Sequence, residues 1–459
     1  MSAKAASSRF ECLECGYASP KYYGKCPQCG EWNTLMESRP LESAPSHTPG
    51  SNRPVPLSSV ENQSQQRFST GMAEFDRVLG GGMILQSMIL IGGEPGVGKS
   101  TLLIETAAHL AKSGPVLYVS GEESPSQIKS RLERLNLRAE NIHLLTLASL
   151  DDVKEAIDAV KPRLLIIDSI QTISGRENPW SKGSVSTMRQ VTAELIEMTK
   201  QSPLTTFIVG HITKDGQLAG PKTLEHMVDT VLYFQGDPQS DLRILQAAKN
   251  RFGSVNELGI FQMMEDGLKS VSDPSGHFIH QRRKSEPGTT IFPAIQGQRP
   301  LLMEVQALVT ESPMGGNPRR NCVGYDPARL AMLVSIIEKK LHIPYYKHDI
   351  FLNITSGLML KEPAADLPVA AVLISSMLGI PLPSDLMFLG EVGLTGEIRP
   401  LTFLQRRISE SQRHGFTTII IPAFQVNELK MEHSTIRGIE HIREMMQIIK
   451  SRQEKKRSD

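Results

Sequence analysis

From Phe68 onward, short runs of β-branched and other apolar residues alternate with stretches in which apolar positions recur every three or four residues. The runs are Met88 to Gly92, Val116 to Ser120, Leu164 to Asp168, Thr205 to Val209 and Thr230 to Phe234. This alternation predicts a mostly parallel sheet with helices on both faces. Ser126 to Leu135 is one such helix, because Ile128, Leu132 and Leu135 share a face behind Ser124 and Pro125 as cap and first turn. Upstream the texture differs: residues 1–36 carry closely paired cysteines, and 37–66 are rich in Ser, Pro, Gln and Asn with almost no apolar periodicity, which predicts a flexible linker. A first large domain is expected over 67–286. After about Ser285 the pattern restarts, so a second domain is expected from Pro287 to residue 450, followed by a charged tail, Ser451 to Asp459, that should fray.

At 459 residues the chain is too long for one compact core, which agrees with this division. Fifty basic residues against 49 acidic ones leave a formal charge of +1, so no global field attracts nucleic acid and any such surface must be a local patch. Met1 to Phe10 has no apolar core of the kind a secretory signal needs, and a cytosolic location is expected. The most apolar stretch, Leu367 to Leu382, is interrupted by Pro368, Ser375, Ser376 and Pro381 and falls short of the roughly 20 residues that span a bilayer. It reads as a buried helix followed by a turn.

Gly93-Glu94-Pro95-Gly96-Val97-Gly98-Lys99-Ser100 matches the P-loop pattern, directly after the run Met88 to Gly92 and before the helix-like Thr101 to Lys112. Glycines let backbone N–H groups turn inward around phosphates, Lys99 neutralises β and γ oxygens, and Ser100 holds a magnesium ion. Gly93 through Thr101 are therefore the expected ATP-binding residues. Leu164 to Asp168 is an apolar strand ending in a carboxylate, the expected partner of Ser100 in the Mg2+ shell. Glu122 and Glu123 follow the strand Val116 to Ser120; a carboxylate there suits polarising an attacking water, but acidic residues also favour helix N-termini. The residues alone leave that choice open. Lys249-Asn250-Arg251-Phe252-Gly253 places two cations after the apolar stretch Leu242 to Ala248. Such cations complete a nucleotide site from a neighbouring subunit, as an arginine finger does, and equally suit a basic strand-to-turn corner.

The five cysteines divide into Cys12, Cys15, Cys26 and Cys29, and Cys322 alone. Two Cys-x2-Cys pairs, each followed by a glycine at Gly16 and Gly30, supply four thiolates for one tetrahedral Zn2+. A redox dithiol is the main rival, but it would not need two matched pairs. Cys322 is too distant in sequence to join them.

The cysteine quartet, the P-loop, the Lys249 to Gly253 run and Gly390-Glu391-Val392-Gly393-Leu394-Thr395-Gly396-Glu397-Ile398-Arg399-Pro400 occur in an order that closely resembles the bacterial RadA (Sms) DNA repair family, over nearly the whole chain. P-loops and zinc knuckles are widespread, whereas the Lys249 to Gly253 run between a RecA-like core and a Lon-like tail is far more specific. The resemblance implies an α/β chain: an N-terminal zinc ribbon, a RecA-like P-loop ATPase core with a mostly parallel sheet, and a C-terminal Lon-protease-like α/β domain. It implies a cytoplasmic, nucleoid-associated, helicase-like DNA-dependent ATPase that forms a homo-oligomeric ring, a hexamer in the family. Such a ring binds single-stranded and branched DNA, drives branch migration or heteroduplex extension, and works beside a RecA-type recombinase. The zinc module is a candidate dock for that recombinase or a further contact to DNA, the plainer alternative being a purely structural knot. By the match Glu122 takes the place of the catalytic glutamate, and Lys249 and Arg251 act with ATP and DNA, so that Lys99, Glu122, Asp168, Lys249 and Arg251 form the expected catalytic set. The loop Gly210 to Thr223, with His211, Lys214, Lys222 and the glycines Gly216 and Gly220, corresponds to a region that couples nucleotide state to DNA.

Aligning Gly390 to Pro400 and the helix before it with Lon puts Ala364 where Lon has its nucleophilic serine and Arg407 where it has its lysine base. Alanine has no nucleophile, and a guanidinium offers donors but no acceptor for a proton. Proteolysis is therefore not expected. Arg282, Arg283, Lys284, Arg319 and Arg320 are candidate DNA contacts, although charge runs are usually solvated faces. Two rival functions stand beside the motor: a Lon-like protease with another nucleophile, and an ATP-switched loading factor that binds DNA without moving.

Overall fold

The computed structural model describes residues 9–12, 17–38, 66–175, 183–211, 223–236, 241–255, 257–279, 286–313, 317–355, 360, 362–429 and 435–458. Cys15, Gly16, nearly all of the expected linker, Lys214, Gly216, Gly220, Lys222 and positions 282–284 lie outside the described residues. The chain divides into two compact units, Met1–Val271 and Ser272–Asp459.

At the start of the first unit, β1 (Arg9–Cys12), β2 (Ala18–Ser19) and β3 (Leu35–Ser38) form a small antiparallel sheet in the order β2-β1-β3. Its register, Arg9 opposite Ser38 and Phe10 opposite Glu37, draws the first two expected linker residues into the ribbon. Next come β4 (Arg67–Phe68), α1 (Ala73–Val78), β5 (Met83–Ile84), β6 (Met88–Gly93), α2 (Lys99–Leu110), β7 (Val116–Ser120), α3 (Pro125–Arg134), β8 (Ile142–Thr146) and α4 (Leu150–Val160). The unit continues through β9 (Leu164–Asp168), α5 (Val185–Gln201), β10 (Thr205–His211), α6 (Thr223–Met227), β11 (Thr230–Gly236), β12 (Leu242–Asn250), β13 (Leu258–Met264) and β14 (Gly267–Ser270).

Nine of these strands make one sheet in the order β14-β13-β12-β11-β6-β10-β9-β7-β8. From β11 to β8 the neighbours are parallel, and β12, β13 and β14 extend the sheet antiparallel. β6, β7 and β9 are buried at every position, which is why they read as unbroken apolar runs. Their side chains alternate between two cores. Ile89 and Ile91 pack with Leu102, Leu103 and Phe207 on one face, while Met88 and Leu90 pack with Val153, Met188 and Leu195 on the other. α3 starts as its sequence predicts, with Ser124 and Gln127 capping each other's backbone N–H groups.

The second unit comprises α7 (Pro274–Ile279), β15 (Thr289–Gln296), β16 (Arg299–Glu311), β17 (Arg320–Val323), α8 (Pro327–Leu341), β18 (His348–Thr355) and α9 (Asp366–Leu378). β19 (Leu386–Phe388), β20 (Glu391–Val392), β21 (Ile398–Arg399), α10 (Leu404–Arg413), β22 (Thr418–Pro422), β23 (Thr435–Ile439) and α11 (Ile442–Ser458) complete it. One sheet runs β15-β16-β18-β17 and another, all parallel, runs β19-β22-β23. The unit begins before the expected boundary at Pro287, because α7 packs on β16 and Ser275 Oγ accepts the Leu302 N–H at 3.2 Å. At the other end α11 runs to Ser458, so the tail expected to fray is helical; its Gln, Glu, Lys and Arg residues are good helix formers.

α9 is the buried helix expected from its apolar run, and it stops at Gly379, whose φ of 65° supplies the left-handed turn. Its serines are satisfied: Ser375 Oγ donates to Ile380 O at 2.6 Å, and Ser376 Oγ accepts Val309 N–H at 2.9 Å. Asp366, fully buried at the start of α9, accepts from Tyr325 Oη at 2.7 Å, Arg329 Nη2 at 2.6 Å and Val392 N at 3.1 Å. Burial, and then the charge of Asp366, pushes the Tyr325 hydroxyl well above its ordinary range. The position matched to the Lon base is a clamp. Arg407 is 1% exposed, pairs with Glu362, donates to Pro293 O at 2.6 Å and Thr402 O at 3.1 Å, and lies 5.5 Å from the Phe292 ring centre. Ala364 is also buried and offers no nucleophile.

Removing one partner of a buried pair strands the other, at a cost of about 3–5 kcal/mol. Arg407→Ala should therefore destabilise the second unit by that magnitude, read as a lower urea midpoint of its unfolding transition and followed by the fluorescence of a probe placed in that unit. An unchanged midpoint would mean that the arginine is dispensable.

Candidate nucleotide and zinc sites

β6 delivers the P-loop at its carboxyl end, where Glu94, Pro95 and Gly96 form an exposed crest and Val97 is buried. Gly98 has φ 112°, a left-handed conformation that starts α2, and a Cβ there would come within 2.6 Å of Met263 Cε. Lys99 is 5% exposed, and its Nζ donates to Gly93 O at 2.7 Å and Glu94 O at 2.9 Å. Burial lowers its pKa, while the charges of Asp168, Glu122 and Glu94 act to raise it. Ser100 and Thr101 follow, half-buried in the first turn of α2.

The strand register places the two other acidic residues beside this lysine. Ser120 of β7 pairs with Asp168 of β9, and the chain continues through Gly121 N, which donates to Asp168 O at 3.0 Å, to Glu122. Asp168 is 8% exposed and accepts from Tyr118 Oη at 2.7 Å. Burial and the neighbouring carboxylate push the Tyr118 pKa well above normal, so the phenol stays a donor. Ser169 Oγ donates to Glu122 Oε1 at 2.7 Å. Glu123, by contrast, is paired with Arg131 of α3. The two adjacent glutamates thus have different surroundings, which the sequence alone left open. Tyr118 and Ser169 were not singled out from sequence; the spacing of the β7 and β9 runs is the signal that bears on them.

Lys249 and Arg251 lie elsewhere. β11 runs parallel to β6 with Phe234 opposite Gly93 and Thr230 opposite Ile89, and β12 returns antiparallel with Asn250 opposite Thr230. The basic run therefore sits at the edge opposite the P-loop, four strand residues or about 13 Å away along β6. Lys249 Nζ donates to Glu225 O at 2.8 Å, His226 O at 3.1 Å and Val228 O at 2.7 Å, at the end of α6. Burial, then the charge of Arg251, lowers its pKa. Arg251 is half-exposed and 3.3 Å from Asp229. His211, at the start of the expected coupling loop, pairs in register with Gly93 beside the P-loop. Arg319 is exposed, 3.9 Å from Asp349.

In the ribbon, ligand atoms of Cys12, Cys26 and Cys29 lie within 4.8 Å of one another. The Cys12 and Cys29 sulfurs are 3.7 Å apart, against an edge of about 3.8 Å for a tetrahedron with Zn–S bonds of about 2.3 Å. Gly30 N donates to Cys26 O at 2.9 Å and Gly30 has φ 77°, closing the knuckle as its position in the sequence suggests. These residues fit zinc. Cys322 belongs to the second unit, and burial raises its thiol pKa.

Comparison with known proteins follows the same divisions. A family model described as a rubredoxin metal binding domain matches residues 10–37, an AAA domain model matches 56–217, and a model of subunit ChlI of Mg-chelatase matches 330–425. The DNA repair protein RadA of Pseudomonas aeruginosa is 45% identical to this chain, covering 91% of it and 93% of the relative. The chain belongs to the RadA family of DNA repair proteins. RadA of Bacillus subtilis is 43% identical over 91% of this chain and 92% of its own length, and RadA of Chlamydia muridarum is 42% identical over 98% and 100%. A solved KaiC-like protein, PH0186 from Pyrococcus horikoshii OT3, is 18% identical with a TM-score of 0.38, covering 45% of this chain and 99% of that one. As a RadA family member the chain has a zinc ribbon, a P-loop ATPase core of RecA-like fold and a ChlI- and Lon-like second domain. Among the described residues no helix is long and apolar enough to cross a membrane.

Proposed function

We propose that this chain is a DNA-dependent ATPase of recombinational repair that moves along single-stranded and branched DNA as a ring of identical subunits, extending heteroduplex by branch migration. The observation that carries the reading is the split of the candidate catalytic set. Lys99, Asp168 and Glu122 converge at the carboxyl edge of the sheet, while Lys249 and Arg251 sit at the opposite edge of the same unit. One chain cannot close both halves on one nucleotide, whereas a neighbouring copy can present its basic edge to the P-loop.

In this reading Gly93 to Thr101 cradle the ATP phosphates, and Lys99 exchanges its two loop carbonyls for β and γ oxygens. Ser100 and Asp168 hold Mg2+, which when bound neutralises charge developing on the phosphoryl oxygens. Glu122, oriented by Ser169 Oγ, positions the attacking water, and Glu123 is held off by Arg131. Lys249 braces the end of α6, which follows the loop expected to grip DNA, so engagement with a neighbour's nucleotide would alter that brace. Contacts of this kind address phosphates, which makes DNA binding sequence-tolerant and salt-sensitive. The zinc ribbon serves as a dock for a recombinase. Ala364 and the engaged Arg407 leave the second domain without a Ser-Lys dyad, and its role is to shape the ring.

Glu122→Gln should lower kcat for ATP by about 100-fold or more with little change in KM, the scale of losing a positioned base, while Glu123→Gln stays within a few-fold of the parent. Equal losses would remove Glu122 from its role. On a three-stranded branched DNA with one fluorescent strand, the purified chain with ATP should displace that strand, and Lys99→Ala should not. ATP-dependent binding without displacement would replace the motor with a switched loading factor.

A further inference from the structure

The second unit holds a group of side chains that neither the nucleotide site nor the ribbon uses. Asp273 lies immediately before α7, and Glu410 and His414 are four residues apart on and just after α10, a spacing that puts them on one face. One ligand atom from each of the three lies within 4.8 Å of the others. His414 Nε2 is 3.4 Å from Asp273 Oδ1 and 3.4 Å from Glu410 Oε1. The imidazole is nine-tenths buried, its side chain 10% exposed, and Nε2 has no hydrogen-bond partner among the described residues.

Two ordinary explanations account poorly for this geometry. A protonated imidazole held by a carboxylate would donate a charge-assisted hydrogen bond at about 2.7–2.9 Å, yet both oxygens stand off at 3.4 Å. A neutral imidazole packed for its ring alone would leave a buried nitrogen facing two carboxylates with nothing to satisfy it, and the carboxylates would repel each other. A cation at the centre of the three satisfies all of them. A tetrahedral zinc with bonds of about 2.0–2.2 Å sets its donors about 3.3–3.6 Å apart, and both 3.4 Å separations fall in that interval.

We propose that Asp273, Glu410 and His414 form a second metal site, one nitrogen and two oxygens around a divalent transition-metal ion of the zinc class. An imidazole donor favours such an ion over magnesium or calcium. Groups behind the donors orient them: Ser275 Oγ, fully buried, donates to Glu410 Oε1, and Gly276 N donates to Asp273 Oδ1 at 3.0 Å. The Asp273 side chain is 45% exposed, so solvent reaches the ion and water fills the fourth position. Arg413, exposed and 4.0 Å from Glu410 Oε2, is a weak competitor at the rim. The ion ties the segment that opens the second unit to the end of α10, a role for an ion distinct from that in the cysteine ribbon.

Cobalt titration of the full-length, metal-stripped chain separates the two sites, because thiolate ligands give an intense charge-transfer band and nitrogen and oxygen ligands give only weak d–d bands. The wild-type chain should take up two equivalents, one of each spectral type. Asp273→Asn and His414→Gln should each keep the charge-transfer band and bind the second equivalent more than about 10-fold more weakly, since even outer-shell changes cost 10–100-fold. Zinc should raise the thermal midpoint of the second unit in the wild type and not in Asp273→Asn, whose exposed side chain makes it the variant that decides if His414→Gln misfolds. Uptake of the thiolate equivalent alone by the wild type, or wild-type affinity for the second equivalent in Asp273→Asn, would overturn the site.

Discussion

The direction of the strands around β6 is the constraint on which the ATPase unit depends. β6 and its parallel neighbours β10, β9 and β7 point their carboxyl ends to one edge, where backbone turns free the residues that follow them. The P-loop, Glu122, Asp168 and His211 all lie at that edge because each ends, or shortly follows, one of these strands. β12 runs the other way, and so Asn250 and its flanking cations arrive at the amino edge. Lys249 and Arg251 therefore lie at the edge of the sheet opposite their own P-loop. Sheet topology thus separates the P-loop from the basic run within one chain, and in the proposed ring each copy's basic run would meet a neighbour's P-loop.

Burial gives the P-loop site its electrostatic character. Lys99 is withdrawn from water and faces several carboxylates, so a polyphosphate enters a site whose cation is positioned and partly desolvated. The phenol of Tyr118 holds Asp168 from below, and Ser169 holds Glu122. In the second unit the same physics has gone to structure. Asp366 and Arg407 are buried charges, each held by several partners.

Much of this was legible in the chain. Strands buried on both faces leave continuous apolar runs, and β6, β7, β9, β10 and β11 were located from them nearly to the residue. The P-loop and the cysteine pairs are legible because their chemistry needs fixed spacing. What was not legible depends on distant partners. Glu122 and Glu123 differ only through Ser169 and Arg131. The placing of Lys249 follows from the antiparallel return of β12, which an apolar run does not reveal. α7 is too short to show a helical period, so the second unit seemed to start later than it does. Asp273 and His414 are far apart in sequence and carry no motif.

The composite site is tested most directly by trans-complementation. Chains carrying Lys99→Ala and chains carrying Arg251→Ala, differently tagged, are co-expressed and isolated as mixed assemblies through both tags. ATP turnover is then measured with single-stranded DNA. Each variant alone should be close to background, and the mixed assemblies should regain a substantial fraction of parental turnover, because an intact P-loop meets an intact arginine across some interfaces. Mixed assemblies no more active than the two variants assayed separately would contradict a site shared between subunits.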